Sequence, residues 1–472
     1  MLDPTRLGDR GRNPPDPRPA VRLLRVSRCL VPTLCAVLQA APLAGQRVVA
    51  AGGPLGDWAA AAQSWLERQI TPNRVVPDPD ASRRGLAVSY DISPKTLPSG
   101  FHRSATYDDA LVALVFQLHG DWDRAAFTLH ALARLVRSDG SLWFTYNTAN
   151  NWPTENDHES ALVRAGTVSW VGYALTFYVA HAPLRSGDPA GARERAFFVA
   201  TARRLADYLV SLRVKAPHDP RDGLLRLGYG TLTLAFDSQT RTVVERYREG
   251  PAPGISTENN IAAWFFLRQL AAVTGDARWS EAAAAIARGL ELSAWNDGLG
   301  QFIEGFDAGG VPDSARALDC ASLGALFLLA RGERAKAARA LATAERYYAS
   351  KSGGGTATGY RPYADRPIYQ DSAVGKLFFP QDPHRQWREL PLVWSEGSLQ
   401  VALAYLRLGH ASRARQITLG MRPLLEENGG LRYASMDLPF EMTDAASVAG
   451  SAWLILVTRA LVGDSLARQI WR

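Results

Sequence analysis

Two kinds of helical segment alternate along the chain from about residue 54. In the first kind, Arg and Glu line one face and apolar residues the other, as in Arg278–Ala282. In the second kind, apolar residues occur nearly all round the helix, as in Ile261–Leu267. A helix that is apolar on every side is stable only when other helices bury it, whereas an amphipathic helix can face water. The alternation therefore predicts an inner ring of buried helices inside an outer ring.

Six such pairs fit the sequence, and strand signals are scarce after residue 50. The outer and inner members are expected at 54–69 and 106–119, 121–137 and 165–181, 191–213 and 257–273, 276–292 and 317–330, 333–349 and 395–408, and 411–427 and 445–462. Each inner helix ends in a short turn, often with Gly. We therefore expect an all-α fold in a single domain over residues 50–466.

Long loops precede the inner helices and are numbered here 1 to 6. They cover residues 70–105, 138–164, 214–256, 293–316, 350–394 and 428–444. Loops of this length inside a compact domain usually carry function. Because each one leads into the start of an inner helix, we expect all six at the same end of the ring.

Residues 1–45 have a different character from the rest of the chain. Arg22, Arg25 and Arg28 precede the apolar run Cys29–Leu38, and small residues follow that run. This pattern is typical of a secretory signal peptide, and the run is too short to span a membrane stably. A disordered cytosolic tail is the alternative. We expect a soluble protein that is exported to the periplasm or beyond, without stable membrane insertion once the leader is removed.

The leader also carries much of the net charge. It contributes +4 of the formal +7, so the remaining chain is close to +3 and does not suggest a nucleic acid partner. Of the three Cys, only Cys320 lies beyond the leader, which excludes an intrachain disulfide or a Cys-rich zinc site there. Nucleotide-binding, HExxH and EF-hand patterns are missing from the sequence. We expect no metal, no cofactor and a monomer.

Acidic residues stand at the starts of the predicted inner helices. They are Asp108, Asp109, Glu258, Asp319, Glu396 and Asp444. A single acid there is explained by the helix dipole, but several facing one cavity would raise one another's pKa. Glycoside hydrolysis uses two carboxylates, one as acid and one as base or nucleophile. We predict Glu258 and Glu396 as this pair, with the assignment of acid and base left open. Asp109 and Asp319 are predicted to hold hydroxyls or position water.

Aromatic residues are concentrated in the same long loops. Their faces suit the C–H faces of pyranose rings, although each one could instead pack within its own loop. The predicted substrate-binding residues are Tyr107, Asp108, Trp143, Tyr146, Trp152, Trp170, Asn259, Tyr360, Tyr363, Trp387, Trp394 and Tyr433.

Four motifs at the inner-helix starts carry a family resemblance. They are Tyr-Asp-Asp-Ala at 107–110, Ser-Thr-Glu-Asn-Asn-Ile at 256–261, Leu-Asp-Cys-Ala-Ser at 318–322 and Trp-Ser-Glu-Gly at 394–397. Together with the six helical hairpins, they resemble the six-hairpin glycosidase superfamily over residues 54–465. The resemblance implies an (α/α)6 toroid acting on carbohydrate. Polysaccharide lyases, sugar epimerases, phosphorylases and terpenoid cyclases share that fold, so fold alone does not determine the reaction.

Three functions are compatible with these features. The favoured one is an exported glycoside hydrolase that acts on a poly- or oligosaccharide such as a β-glucan or an exopolysaccharide. A polysaccharide lyase is the second, with Tyr, His or Arg abstracting the proton; His102, His158, His218 and His384 lie in the loops, and Arg is plentiful. The third is a non-catalytic glycan-binding component of an exopolysaccharide system. An intracellular sugar epimerase is disfavoured by the leader and by the lack of His in the apolar stretches of the inner helices.

Overall fold

The computed structural model describes residues 53–93, 102–150, 161–183 and 188–472. Its α-helices are α1 Pro54–Gln69, α2 Thr106–His119, α3 Trp122–Leu135, α4 Ala165–His181, α5 Pro189–Ser211, α6 Thr257–Thr274, α7 Ala277–Gly289, α8 Leu318–Ala330, α9 Arg334–Tyr347, α10 Ser372–Phe378, α11 Ser395–Leu408, α12 Ala411–Gly420 and α13 Val448–Leu461. The proposed leader, Trp152 and His158 lie outside the described residues.

Small sheets accompany the helices. Their strands are β1 Arg103–Ala105, β2 Thr145–Asn147, β3 Val163–Arg164, β4 Gly228–Asp237, β5 Thr242–Ala252, β6 Ile255–Ser256, β7 Trp295–Asn296, β8 Gln301–Phe302, β9 Gly305–Phe306, β10 Pro312–Asp313, β11 Ala349–Lys351, β12 Thr358–Tyr360, β13 Leu431–Arg432 and β14 Ala446–Ser447.

The helices that are apolar all round form an inner layer. In chain order they are α2, α4, α6, α8, α11 and α13; each packs against the next, and α13 packs against α2. The amphipathic helices α3, α5, α7, α9 and α12 each pack on the inner helix that precedes them, and α1 packs on α13. The inner helices therefore form a closed cycle of neighbours. This predominantly helical arrangement is consistent with the expected toroid, and the described residues from 53 onward belong to one compact unit.

Local signals define where α6 ends and α7 begins, and a side-chain cap marks the start of α6. The Ser256 hydroxyl accepts a hydrogen bond from the Asn259 N–H at 3.3 Å and caps α6. Gly275 ends the helix in the left-handed conformation, with φ 67°. Asp276 follows at once and caps α7 by accepting from the Arg278 N–H at 3.2 Å. The two caps leave no room for a loop, so α6 and α7 form a tight helical hairpin.

The long loops are joined to one another at the opposite end. Strand pairs link loop 1 to loop 2 (β1 with β2), loop 2 to loop 3 (β3 with β4) and loop 3 to loop 4 (β6 with β9). Isolated bridges complete the circuit, pairing Ala317 with Tyr363, Trp394 with Ala434, and Tyr90 with Ser447. The six loops thus gather around the starts of the inner helices, as the sequence predicted.

Strand content is the main departure from the all-α prediction. Long loop 3 contains an antiparallel hairpin, β4 and β5, in which Leu234 lies opposite Glu245 and Phe236 opposite Val243. Most of its residues are half-buried or exposed, so no continuous apolar face marks it in the sequence. The short helix α10 in long loop 5 is likewise additional.

No helix among the described residues is both long and apolar enough to cross a lipid bilayer.

Candidate active site

Three of the predicted acids lie close enough to interact at the inner-helix starts, a region that is called the cavity below. Glu258 lies in the first turn of α6, Asp319 in that of α8 and Glu396 in that of α11. Burial raises the pKa of Glu258 to about 7 and that of Glu396 to about 8. Burial, followed by the charges of Glu258 and Glu396, raises the pKa of Asp319 well above its ordinary value. The three carboxyl groups therefore interact, and they cannot all be ionised at neutral pH without a large cost.

Glu396 is held by side chains from other inner helices. The Tyr107 hydroxyl donates to Glu396 Oε1 at 2.5 Å and itself accepts from Trp453 Nε1 at 2.8 Å. Gln400 Nε2 also donates to Glu396 Oε1, at 3.3 Å, while its Oε1 accepts from the Ser322 hydroxyl at 3.1 Å. With only 7% of its surface exposed, Glu396 is both oriented and shielded.

Glu258 and Asp319 differ from Glu396 because they keep part of their surface accessible to solvent. Within the described ranges, Asp319 Oδ1 is buried without a hydrogen-bond partner. The pKa of Glu258 is raised by burial and by the charge of Glu304, and no hydrogen bond from a described residue offsets this. Unpaired carboxyl oxygens are costly to keep in a folded protein and are commonly ligand contacts.

The sequence reasoning missed an acid next to Glu258. Glu304, in long loop 4, accepts a hydrogen bond at its backbone carbonyl from the Thr257 N–H at 2.9 Å, which ties it to the start of α6. Arg366 Nη1 donates to both of its carboxyl oxygens, at 2.9 and 3.2 Å. The next residue must be Gly305, since a Cβ there would lie 1.8 Å from the Ile255 carbonyl oxygen. An acid followed by Gly in long loop 4 was the available signal.

A second missed acid is Glu441 in long loop 6. Burial raises its pKa to about 7, and the charge of Arg366 opposes that rise. Arg366 in turn lies over the Tyr363 ring, 4.4 Å from its centroid. Glu304, Glu441, Arg366 and Tyr363 thus form one polar wall of the cavity, built from loops rather than from helix starts.

The neighbouring residues Asp108 and Asp109 lie in different surroundings. Burial raises the pKa of Asp108 to about 7, and its charge in turn raises the pKa of Glu396. Asp109 is fully buried: Oδ1 accepts from the Ala87 N–H at 2.7 Å and Oδ2 from the Ser104 hydroxyl at 2.8 Å. Because both oxygens are used inside the protein, Asp109 is a structural residue and does not hold substrate or water as predicted.

Several predicted sugar-binding residues do lie near the three acids. Burial raises the pKa of Tyr433, and the charges of Tyr90, Glu396 and Asp319 add to the effect. Trp394 packs edge-on to Tyr433 at 6.2 Å. The Tyr363 ring lies against the Arg366 guanidinium, and the Tyr107 hydroxyl donates to Glu396. Asn259 follows Glu258 on α6, with its Oδ1 against Gly166 of α4, where a Cβ would come within 2.2 Å.

Other predicted sugar-binding residues are packed away from these acids. The Tyr146 hydroxyl accepts from the Trp143 N–H at 3.1 Å, and only 2% of Tyr146 is exposed. Trp143 covers the Arg137 guanidinium at 4.0 Å. Tyr360 is 1% exposed and donates to Glu345 on the outer helix α9 at 2.8 Å. With almost no free surface, Tyr146 and Tyr360 cannot stack on a sugar as predicted, whereas sugar contact by the half-buried Trp143 stays a prediction.

Two further aromatic predictions also require correction. Trp387 is 1% exposed and packs behind Tyr363, with ring centroids 5.4 Å apart. Trp170 is 2% exposed and packs edge-on against Tyr107 at 5.1 Å. Both support residues of the cavity and have too little free surface to stack on a sugar.

Long loop 5 contacts long loops 3 and 6. In the cycle of inner helices α11 is opposite α4, yet loop 5, which leads to α11, contacts the β4–β5 hairpin that lies between α4 and α6. The contact is a hydrogen bond from the Phe236 N–H to Asp371 Oδ2 at 3.1 Å. The Tyr369 hydroxyl donates to the Pro439 carbonyl of loop 6 at 2.9 Å. Loop 5 is therefore tied both to the β4–β5 hairpin of loop 3 and to loop 6.

Two observations on the described ranges concern His residues and metal-binding side chains. None of the charges that perturb the pKa of Glu258, Asp319 or Glu396 belongs to a His there. No three His, Cys, Asp or Glu side chains are grouped in those ranges as a metal site would require.

No protein-family model and no curated protein sequence matches the chain. Solved structures do match. The GH63 mannosylglycerate hydrolase from Thermus thermophilus, in complex with Tris and D-glycerate, aligns with a TM-score of 0.56 and 16% identity over 86% of this chain and 100% of that chain. A wild-type glycosidase aligns with a TM-score of 0.55 and 12% identity, over 87% and 97%. A D-mannose isomerase aligns with a TM-score of 0.54 and 10% identity, over 86% and 97%. At these identities the likeness shows the fold alone, and that fold is one found in glycosidases and in a sugar isomerase.

Proposed function

We propose that the chain is a glycoside hydrolase built on an (α/α)6 toroid. The observation that carries this proposal is the meeting of Glu258, Asp319 and Glu396, each with a raised pKa, in one cavity. Paired carboxyl groups of which one is protonated are what glycoside hydrolysis needs. Structures of the same fold that act on glycosides, such as the mannosylglycerate hydrolase, support the proposal.

The hydrogen bonds suggest which carboxyl group takes which part. Glu396 receives donors from Tyr107 and Gln400, and donors stabilise the ionised form, so Glu396 is the proposed base or nucleophile. Glu258 has no described donor and is the proposed acid. As the glycosidic C–O bond breaks, the proton of Glu258 passes to the leaving oxygen. Glu396 then attacks the anomeric carbon or takes the proton from an attacking water. The unpaired Oδ1 of Asp319 accepts a hydrogen bond from a sugar hydroxyl.

The order of the two pKa values points the other way, since burial raises that of Glu396 to about 8 and that of Glu258 to about 7. The hydrogen bonds are fixed by the protein, whereas a bound sugar changes the burial of both groups. The proposed roles therefore follow the hydrogen bonds. A glycoside with a good leaving group separates the two assignments, since such a group departs without a proton. It should restore turnover in Glu258→Gln and leave Glu396→Gln inactive; the opposite pattern would exchange the roles.

The contact between loop 5 and the β4–β5 hairpin bears on the kind of carbohydrate that can enter. We infer that this contact interrupts the groove in which a long chain would otherwise lie. Within the poly- or oligosaccharide class, including β-glucans and exopolysaccharides, we therefore propose chain ends or short glycosides as substrates. Export to the periplasm or the medium and a monomeric state are parts of the same proposal, with carbohydrate as the partner.

A panel of glycosides and oligosaccharides tests the reaction type through product masses. Hydrolysis adds one water for each bond cleaved. Unsaturated products would show a lyase, an unchanged mass with a new sugar would show an isomerase, and binding without products would show a glycan-binding protein.

Two variants test the assigned residues once a substrate is known. Glu258→Gln and Glu396→Gln should each lower kcat by about 10²-fold or more while binding is retained. Glu281→Gln, on the exposed face of α7, is the matched control. Full activity in both active-site variants would refute the assignment.

A further inference from the structure

Residues 464–472 follow α13, and Trp471 near their end reaches the interior of the helix cycle. Trp471 is 2% exposed, and its ring is stacked between two inner helices. It lies 4.5 Å from Phe265 of α6, with 20° between the rings, and 4.5 Å from Trp170 of α4, with 27° between the rings. Such parallel aromatic contacts fix three side chains relative to one another.

Polar contacts hold this segment in place. The backbone N–H of Trp471 donates to the Tyr173 hydroxyl of α4 at 2.8 Å. Arg407 Nη2, near the end of α11, donates to the carbonyls of Ala467 and Ile470 at 3.2 and 2.7 Å. The segment is therefore bound to α4 and α11, on opposite sides of the cycle.

Trp471 is retained in this position at an energetic cost. Its φ is 56°, a left-handed conformation that bulky residues rarely adopt. Its buried indole N–H has no hydrogen-bond partner among the described residues. Backbone strain of this kind persists only where the surroundings dictate it, and it is concentrated at functional sites.

The stacked rings of Trp471 and Trp170 are linked to Glu396 through the side chains that Trp170 contacts. Trp170 packs edge-on against Tyr107 at 5.1 Å and against Trp453 at 6.1 Å. Tyr107 donates a hydrogen bond to the Glu396 carboxyl group, and Trp453 donates one to the Tyr107 hydroxyl, so both help to orient that carboxyl group together with Gln400. Only Trp170 separates Trp471 from these two residues.

We propose that Trp471 is a positioning residue of the active site: it seals the interior of the helix cycle below Trp170 and so keeps Tyr107 and Trp453 aligned on Glu396. The effect on catalysis rests on the proposed function, whereas the effect on the surroundings of Glu396 does not. Replacement of the ring by a smaller side chain would open a path for water and let Trp170 move.

Charged and titratable groups on both sides of the stack enter the expected pH dependence. Those facing Glu396 are Tyr107 and Asp108 from α2, Glu258 from α6, Asp319 from α8 and Tyr433 from loop 6. Those near the Trp471 end are Arg268, Arg407, Arg468, Arg472 and Tyr173. All of them stay in the variants below, so a change in pH dependence reports on hydration and geometry.

The test measures unfolding by urea at about pH 5 and about pH 8, where the protonation of Glu396 differs. Trp471→Ala should shrink the loss of stability between these pH values by about half, because water reaching Glu396 lowers its pKa. The control is Trp279→Ala on the outer helix α7. Trp279 is also buried, 1% exposed, with an indole N–H that lacks a partner among the described residues. It should lose equal stability at both pH values.

Kinetics supply the second measurement once a substrate is found. Trp471→Ala should lower kcat by about tenfold or more with little change in KM, because the carboxyl group is misplaced rather than the sugar lost. Trp471→Phe keeps the stack and should restore kcat to within about threefold. If Trp471→Ala does not fold, Trp471→Leu replaces it, since Leu removes the aromatic face and leaves less empty volume than Ala.

Two results would overturn the proposal. One is an equal loss of stability at both pH values for Trp471→Ala or Trp471→Leu, as in the Trp279 control; the other is unchanged kcat in those variants. If the wild type turns over no glycan, the proposed function fails, yet the comparison at two pH values still decides the role of Trp471.

Discussion

Substitution of Glu396 by Gln should make the protein more stable at alkaline pH, and this follows from the burial of the carboxyl group. In the folded chain its pKa is about 8, against an ordinary value of 4.5. Between these values the folded state holds a proton that the unfolded state has released. Stability therefore falls as pH rises through this window, and the Gln variant, which is isosteric and neutral, avoids that part of the fall.

The size of the effect can be worked from the same values. A tenfold change in proton affinity corresponds to about 1.4 kcal/mol, so the displacement of the pKa sets a ceiling of about 5 kcal/mol at high pH. Asp108 and Glu258 also raise this pKa, so part of the fall is shared with them. We expect the variant to exceed the wild type by about 2–4 kcal/mol at about pH 8 and to match it within about 1 kcal/mol at about pH 5.

Urea unfolding followed by circular dichroism at both pH values measures this difference without any substrate. Glu281→Gln, which removes an exposed acid from α7, should follow the wild type. Parallel curves for the wild type and Glu396→Gln would mean that the Glu396 carboxyl group does not titrate in a buried setting, and the proposed catalytic pair would lose its physical basis.

Three further predictions concern the same cavity. The pH profile of kcat/KM should be bell-shaped, with a maximum between about 7 and 8, because the pair must hold one proton; a plateau reaching down to about pH 5 would contradict this. Tyr107→Phe should lower kcat by about 10- to 100-fold and move the acid limb of that profile to higher pH, because the Tyr107 hydrogen bond lowers the pKa of Glu396; an unmoved limb would show that the bond is not formed. Asp109→Ala should lower the free energy of unfolding in urea by about 2–4 kcal/mol while kcat stays within about threefold. Loss of kcat without loss of stability would instead assign Asp109 to the catalytic residues.

Most helix boundaries were predictable because the signals are local, although α12 ends at Gly420 and not at residue 427 as predicted. Residues 257–273 were expected as an inner helix, and α6 runs over Thr257–Thr274. Periodicity, the Ser256 cap and the Gly275 stop all lie within a few residues of the ends they define. The gathering of the loops at one end followed from the alternation of short turns and long connections.

The composition of the cavity was only partly predictable. Glu258, Asp319 and Glu396 were found because they stand at helix starts that must converge. Glu304 and Glu441 were missed because they lie in loops, and a loop side chain is placed by contacts distant in sequence, such as the hydrogen bond from Thr257 to the Glu304 backbone. The β4–β5 hairpin escaped notice for a related reason, since its burial comes from other loops.

The sequence by itself determined the helical architecture, the shared end of the loops and three acids of the cavity, since each depends on local periodicity and caps. Only the tertiary structure decided which polar and aromatic side chains face that cavity. Asp108 and Asp109 are adjacent, about 100° apart around α2, and the rotation of the helix against its neighbours sends Asp109 into the protein. Trp170 is likewise predicted from the sequence to bind sugar. In the structure it stacks on Trp471, about 300 residues further along the chain, and is buried inside the protein.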